Sequence, residues 1–185
     1  MKVIFLDFDG VITSFYEDQN VDDLCIALLK YIVDKTSAKI VVTASAKECV
    51  QLGYTSFENS NLRNVYLKRL EQYHLVPYDY TKYIGSNRDL EIKDYLDHHP
   101  EITEYLILDD EPDSEVFNGH LVLVDAGCGL SLKNIKNSLS ILNGNLKFYD
   151  PNEIEFNSEK REIENNQKFD KLMERKKKYE RNLKR

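Results

Sequence analysis

Residues 2–11 read KVIFLDFDGV, and this stretch decides how the rest of the chain is interpreted. The apolar run Lys2–Leu6 is short, which predicts a buried β-strand. Asp7 and Asp9 follow it at alternate positions, so both carboxylates can face one cavity, and Gly10 lets the chain turn sharply. Because two close carboxylates repel one another unless a cation or a proton separates them, the stretch predicts a strand that ends in a metal-binding or proton-transferring site.

Further apolar runs predict strands elsewhere in the chain, at 39–43, 105–108 and 120–124, with a weaker candidate at 80–84. Helical patterns lie between or after them, at 22–34, 59–73, 90–96 and 131–142. Alternating strands and helices predict an α/β fold, a Rossmann-like three-layer sandwich around a central parallel sheet.

Polar side chains stand where three of these strands end. Asp7 ends the first, Thr43 the second, and Asp109 with Asp110 a later one. Ligands of parallel sheets bind beyond the carboxyl ends of the strands. Carboxylates suit a hard cation such as Mg²⁺, and the Thr43 hydroxyl suits a phosphate oxygen. An isolated Asp pair is usually a solvated turn, but this order of strand ends favours a catalytic site.

Composition narrows the class of protein. The chain has 185 residues, of which 42% are hydrophobic and 31% are charged, as in a soluble globular protein. No apolar run approaches the roughly 20 residues of a membrane helix, and the N-terminus lacks the apolar core of a signal peptide. Three scattered cysteines predict neither a disulfide framework nor a zinc site. We therefore expect a cytoplasmic protein without a membrane association.

Charge divides the chain into two parts. Residues 159–185 carry eleven Lys or Arg and six Asp or Glu, whereas the remainder is strongly acidic. We predict a domain over 1–150 and a charged, helical C-terminal extension over 151–185. An acidic body is compatible with a carboxylate metal site and argues against a general nucleic-acid binder. The spacing from Gly10 to Thr43 leaves room for a flap and a helix, so we expect no large cap and an open cleft.

The order DFDGV, IVVT, a basic residue before a helix, and LILDD resembles the haloacid dehalogenase (HAD) superfamily of phosphatases over about residues 1–145. The resemblance implies that Asp7 is the nucleophile that takes the phosphoryl group. It implies that Asp9 protonates the leaving group and then activates water, as in phosphatases and unlike dehalogenases.

The same resemblance implies a metal site and a phosphate-binding residue. Mg²⁺ would be held by the Asp7 carboxylate, the Asp9 backbone carbonyl and Asp109, with Asp110 assisting, and Thr43 would bind the transferred phosphate. The family also has a Lys or Arg that neutralises the aspartate and the phosphate. Here Arg88 is favoured for that role, and Lys93 is the alternative.

A narrower resemblance concerns NRDLEIKDYL, YLILDDEPD and HLVLVDAGCGLS, which are similar to small phosphatase-like domains associated with RNA repair and to the phosphatase domain of polynucleotide kinase-phosphatases. Those relatives often have Ser followed by Trp-Arg or Gly-Arg after the second strand. This chain has Thr43-Ala44-Ser45-Ala46-Lys47, in which Lys47 could stand in for the arginine. No phosphate-binding G-x-x-x-x-G-K-[ST] loop is present, which excludes a fused kinase by motif.

These features predict a Mg²⁺-dependent phosphatase that hydrolyses a phosphate monoester through an aspartyl-phosphate intermediate, with a nucleic-acid end as a candidate substrate. Two alternatives stay open. One is a phosphatase of small molecules, such as nucleotides or sugar phosphates. The other is a non-catalytic binding module with the same fold.

Overall fold

The computed structural model describes residues 1–13, 21–85, 87–111 and 119–148. In these residues five parallel strands form one sheet in the order β3-β2-β1-β4-β5. The strands are β1 (Lys2–Leu6), β2 (Lys39–Val42), β3 (Asp79–Tyr80), β4 (Glu104–Asp109) and β5 (Leu121–Leu123). The strand predicted from the first apolar run is therefore the central one, and the predicted α/β class is confirmed.

Helical segments connect the strands. The α-helices are α1 (Asp23–Thr36), α2 (Glu48–Gln51), α3 (Lys68–Gln72), α4 (Arg88–His98) and α5 (Leu132–Ile141). Short 3₁₀ turns span Ser45–Lys47 and Phe57–Asn59, and a π-helical turn, Leu62–Leu67, runs directly into α3. Within the described residues we find no separate cap domain, as the short spacing between motifs predicts.

The sheet is buried on both faces. Successive side chains of β1 point to opposite sides, so each face of the sheet contributes to its own core cluster. Ile4 and Leu6 belong to one core cluster with the apolar faces of α1 and α5. Val3 and Phe5 belong to a second cluster with Ile92 and other residues of α4. Helices thus cover the sheet on two sides, which confirms the predicted three-layer arrangement.

Local signals set both ends of α1. Asp22 caps the helix, since its side chain accepts a hydrogen bond from the backbone N–H of Leu24 at 2.6 Å. Ser37 ends the helix in the left-handed conformation, with φ of 55°, and its N–H donates to the C=O of Val33.

The weak strand candidate at 80–84 is wrong in its extent. β3 covers only Asp79–Tyr80, and the ladder continues through a single bond from the N–H of Thr81 to the C=O of Val42. Beyond it the backbone donors bond side chains instead: the N–H of Tyr83 donates to Gln51 and that of Ile84 to Glu91. These side-chain acceptors replace the neighbouring strand, so the sheet pairing stops.

Three other expectations changed in detail or stay open. The predicted helix at 59–73 is divided into the π-helical turn and α3, and the helix predicted at 90–96 begins earlier, at Arg88, because Asn87 caps it through a bond from the N–H of Leu90 at 3.0 Å. The charged extension at 151–185 lies outside the described residues, so the division at residue 150 stays a prediction.

Candidate active site

The candidate site lies at the carboxyl edge of β2, β1 and β4, which end at the same level. The backbone N–H of Asp7 donates to the C=O of Leu108 at 3.0 Å, and the N–H of Thr43 donates to the C=O of Leu6 at 3.0 Å. Asp7 is thereby placed between Thr43 and Asp109, as expected where parallel strands pair in register. The sheet itself brings these three side chains together.

A tight turn carries the chain from Asp7 across the edge of the sheet. The backbone N–H groups of Ile12 and Thr13 both donate to the C=O of Phe8, at 2.9 and 3.2 Å. Gly10 sits in the turn with φ of 73°, and a Cβ at this position would lie 2.5 Å from Oδ2 of Asp110. A larger residue is therefore disfavoured both by backbone conformation and by the carboxylate that packs against the turn.

Three carboxylates meet at this edge. Oxygen atoms of Asp7, Asp109 and Asp110 lie within 4.8 Å of one another. Asp7 and Asp109 are buried, with 5% and 3% of their surface exposed. Burial above all raises the pKa of Asp7 well above its ordinary value; the charge of Arg88 opposes this shift, and those of Asp109 and Asp110 add to it.

This donor set fits a hard divalent cation. The three side chains offer oxygen ligands, which Mg²⁺ prefers, and they are crowded enough that their mutual repulsion would be relieved by positive charge. The group of three does not include the carboxylate of Asp9. A role for Asp9 in metal binding would therefore be that of its backbone carbonyl, as the family resemblance implies.

Arg88 bridges two of the carboxylates. It lies in the first turn of α4. The Nη2 atom of its guanidinium lies 3.3 Å from Oδ1 of Asp7, and the Nη1 atom donates a hydrogen bond to Oδ2 of Asp109. Although burial disfavours the charged guanidinium, the Asp7 and Asp109 carboxylates outweigh it and raise the pKa of Arg88 further. The arginine is a fixed positive charge at the site.

Lys93, the alternative to Arg88, lies elsewhere. Its ammonium pairs with Asp97 at 2.6 Å, four residues along α4, and more than half of its side chain is exposed. The structure therefore brings Arg88, and not Lys93, to the carboxylates.

Thr43 contributes a hydroxyl without a partner. The residue is 1% exposed, and within the described residues its Oγ1 has no hydrogen-bond partner. A buried polar atom without a partner costs free energy, so such atoms in native proteins commonly await a ligand or water. Because Thr43 ends the strand beside Asp7, its hydroxyl is suited to an oxygen of a ligand that approaches Asp7.

Lys47 forms a buried ion pair just after β2. It is 1% exposed, and its ammonium donates to Oε2 of Glu91 at 2.7 Å and to the C=O of Thr43 at 2.9 Å. Glu91 also accepts from the hydroxyl of Thr81 at 2.9 Å. Lys47, which the sequence offers in place of the arginine of the relatives, is thus held in a buried ion pair by Glu91.

Asp9 lies on the exposed side of the turn. Its Oδ1 accepts a hydrogen bond from the hydroxyl of Tyr66 at 2.7 Å, and the Tyr66 ring stacks on Phe8. Asp9 and Asp7 therefore have different surroundings, which two carboxylates with different chemical roles require.

Sequence reasoning missed two of these contacts. The pairing of Glu91 with Lys47 has a weak signal, since Glu91 follows Arg88 by three residues and so shares its helix face. The contact of Tyr66 with Asp9 joins residues 57 positions apart and has no signal in the sequence.

The chain is similar to a known family of protein domains. Residues 3–135 match the family described as the HAD domain in Swiss Army Knife RNA repair proteins. No curated protein and no solved structure matches the chain. Among the described residues, no helix combines the length and the apolar character needed to cross a bilayer.

Proposed function

The chain belongs to the family of HAD domains found in Swiss Army Knife RNA repair proteins, and from this premise we propose that it is a Mg²⁺-dependent phosphatase that removes a terminal phosphate monoester from a nucleic-acid strand. The observation that carries the proposal is the buried Asp7 carboxylate flanked by the Arg88 guanidinium and by the unpartnered Thr43 hydroxyl. A nucleophile, a cation and a hydroxyl donor on one sheet edge suit a phosphoryl group better than a neutral substrate.

In the proposed first step, a carboxylate oxygen of Asp7 attacks the phosphorus atom. The bond from phosphorus to the leaving oxygen breaks, its electron pair passes to that oxygen, and Asp9 supplies the proton. The product alcohol leaves, and Asp7 carries the phosphoryl group as an acyl phosphate.

In the second step, Asp9 as carboxylate takes a proton from water, whose oxygen attacks the phosphorus atom. The bond to Asp7 breaks, which releases inorganic phosphate and regenerates the Asp7 carboxylate. One water is consumed, and one alcohol and one phosphate are formed.

Charge governs both steps, since an anionic carboxylate must approach an anionic phosphate. Arg88 supplies a permanent positive charge beside Asp7, and the Thr43 hydroxyl donates to a phosphate oxygen. Asp7, Asp109 and Asp110 would hold the metal, which when bound neutralises charge between nucleophile and phosphate.

The proposed substrate class has separate support. Without a separate cap over the strand ends in the described residues, a cleft of this kind can admit a phosphate on the end of a bulky strand, and it encloses a small metabolite poorly. The basic stretch 159–185 would attract a polyanion over distance, an effect that weakens with salt.

The test is turnover of a phosphate panel by the purified chain with Mg²⁺. We expect 3′- or 5′-phosphorylated oligonucleotides to exceed mononucleotides and sugar phosphates in kcat/KM, with an advantage that shrinks as salt rises. We expect Asp7→Asn, which is nearly isosteric, to abolish turnover, and Lys93→Met, on the exposed side of the same helix as Arg88, to retain it.

Four results would contradict parts of the proposal. Full turnover by Asp7→Asn would refute the nucleophile, and full turnover in a chelated sample would refute the metal. Equal or better efficiency on a mononucleotide or sugar phosphate would leave a phosphatase of small molecules. A chain that binds phosphorylated strands without turnover would be a binding module.

A further inference from the structure

The environment of Asp9 holds a contact that the family assignment does not explain. The Tyr66 hydroxyl donates to Oδ1 of Asp9 at 2.7 Å, across 57 residues of sequence. An exposed carboxylate on a turn ordinarily samples several rotamers, and a hydrogen bond to one of its oxygens restricts that sampling. The contact therefore acts on the orientation of the Asp9 carboxylate.

The Tyr66 ring is itself held in place. It stacks on the ring of Phe8, with centroids 4.6 Å apart and planes inclined by 25°, and Phe8 is fully buried. Phe8 lies between Asp7 and Asp9 in the chain, so the tyrosine is anchored to the same turn that carries both carboxylates. Its hydroxyl is positioned by a rigid neighbour.

The backbone around Tyr66 is unusual as well. The residue lies in the π-helical turn Leu62–Leu67, whose end residues are 2% and 3% exposed and pack into the core. A π turn holds an extra residue, which changes the direction of the side chains it carries, and such turns are frequent at functional sites. Here the buried leucines fix the turn, and Tyr66 between them reaches the site.

The phenol remains a donor in the neutral pH range. Burial, the hydrogen bond to Asp9 and the nearby carboxylates all raise the pKa of Tyr66 well above its ordinary value. A protonated phenol can donate to Oδ1 whether Asp9 is ionised or carries a proton on its other oxygen.

We propose that Tyr66 is a positioning residue for Asp9: its hydrogen bond occupies Oδ1, so that Oδ2 carries the proton given to the leaving oxygen. The inference rests on the proposed role of Asp9 as the acid of the first step. In that step the Oδ2–H bond breaks as the bond from phosphorus to the leaving oxygen breaks, and the proton ends on the alcohol. Tyr66 itself exchanges no proton.

A positioning role makes the effect of Tyr66 depend on the leaving group. An alkyl or ribose oxygen leaves poorly as an anion and needs the proton from Asp9, whereas p-nitrophenolate is a stable anion and needs it little. A purely structural role of Tyr66 would affect both classes of substrate alike.

The experiment compares Tyr66→Phe with Tyr95→Phe in the full chain. Tyr66→Phe keeps the ring and its stacking on Phe8 and loses only the hydroxyl. Tyr95→Phe is the matched control, since Tyr95 also donates to a carboxylate, Asp79, at 3.0 Å, but on another helix and outside the site. Thermal unfolding of both variants checks that each is folded.

The readout is kcat/KM, which reports the steps up to the first irreversible one and so isolates the transfer to Asp7 from hydrolysis of the intermediate. For Tyr66→Phe we expect a loss of about tenfold or more on β-glycerophosphate and a 3′-phosphorylated oligonucleotide, part of the roughly 10²–10⁴ that acid–base catalysis supplies. On p-nitrophenyl phosphate we expect less than about a twofold change, and Tyr95→Phe should change neither class.

Equal losses on both classes, or losses no larger than those of Tyr95→Phe, would overturn the inference while Asp9 keeps its role. Asp9→Asn separates that failure from failure of the proposed function. If Asp9→Asn turns over the alkyl phosphate at the wild-type rate, Asp9 is not the acid, and the positioning role falls with it.

Discussion

Lys47→Met should be strongly destabilising because it breaks a buried ion pair. Lys47 is 1% exposed and Glu91 3% exposed, and their charged groups lie 2.7 Å apart. The substitution keeps the length and apolar volume of the side chain, but it leaves the Glu91 carboxylate buried without its cation. Removing one partner of such a pair costs about 3–5 kcal/mol in the free energy of unfolding.

Two remaining contacts limit the loss. Glu91 keeps its bonds from the Thr81 hydroxyl at 2.9 Å and from the N–H of Ile84 at 3.2 Å. These neutral donors stabilise the carboxylate without compensating its charge, so we expect the lower half of that range, about 3–4 kcal/mol. In a chain of this size the loss corresponds to a fall in Tm of roughly 6–16 °C.

The double variant Lys47→Met/Glu91→Gln separates charge from packing. Glutamine keeps one acceptor oxygen, for the N–H of Ile84, and places its amide N–H toward the Thr81 hydroxyl, and it removes the uncompensated charge. We expect the double variant to recover at least half of the stability lost by Lys47→Met, because replacing both partners of a buried pair is often nearly neutral.

The assay is chemical denaturation followed by circular dichroism, with Lys93→Met as the control. Lys93 forms an exposed pair with Asp97 on α4, and such pairs contribute only about 0.3–0.5 kcal/mol. A Lys47→Met variant within about 0.5 kcal/mol of Lys93→Met would refute the reasoning, and so would a double variant less stable than the single one.

Two further predictions concern ionisation at the site and the cysteines. Burial raises the pKa of Asp7 in the folded, metal-free protein. Ionisation of Asp7 therefore lowers the stability of the folded protein as the pH rises. In the presence of a chelator, Asp7→Asn should therefore have a higher Tm than wild type, with a difference that grows from about pH 4 to about pH 8; a difference that shrinks over this range would contradict the assignment. Burial raises the pKa of Cys25 to about 11, whereas Cys49 and Cys128 are exposed. A thiol reagent at about pH 8 should thus modify two cysteines quickly and the third only on unfolding, and rapid modification of all three would contradict the described burial.

The architecture follows from local signals in the chain. Short apolar runs that end in acidic or hydroxyl side chains, separated by helical patterns, are enough to predict a parallel sheet with Asp7, Thr43 and Asp109 at one edge. The physical reason is that parallel strands in register must end at one edge, whatever the details of the connections. The requirement for Gly10 in the turn can also be predicted from the sequence, since it depends on the local backbone conformation.

Weak β-signals are less reliable. The run at 80–84 has the composition of a strand, yet its donors bond the side chains of Gln51 and Glu91. Gln51 lies 32 residues before Tyr83, and Glu91 lies seven residues after Ile84 in the following helix, so the apolar run by itself contains neither of the acceptors that end β3.

Tertiary structure decided which basic side chain, Arg88 or Lys93, lies beside Asp7. Arg88 and Lys93 lie on one helix five positions apart, and both satisfy the pattern of a basic residue before the Asp-Asp strand. Packing of α4 against the sheet turns Arg88 toward Asp7 and Lys93 toward solvent. Lys47 shows the converse, since a basic residue just after β2 is drawn into the core by Glu91.

The contact of Tyr66 with Asp9 depends on tertiary structure entirely. Periodicity identifies Tyr66 as a helical residue, but the π-helical turn and the stacking on Phe8 determine where its hydroxyl lies. The sequence by itself determined which chemical groups stand at the strand ends, because backbone geometry is local. Which side chains from other elements reach those groups was decided by the folded chain alone, because such contacts depend on how distant segments pack.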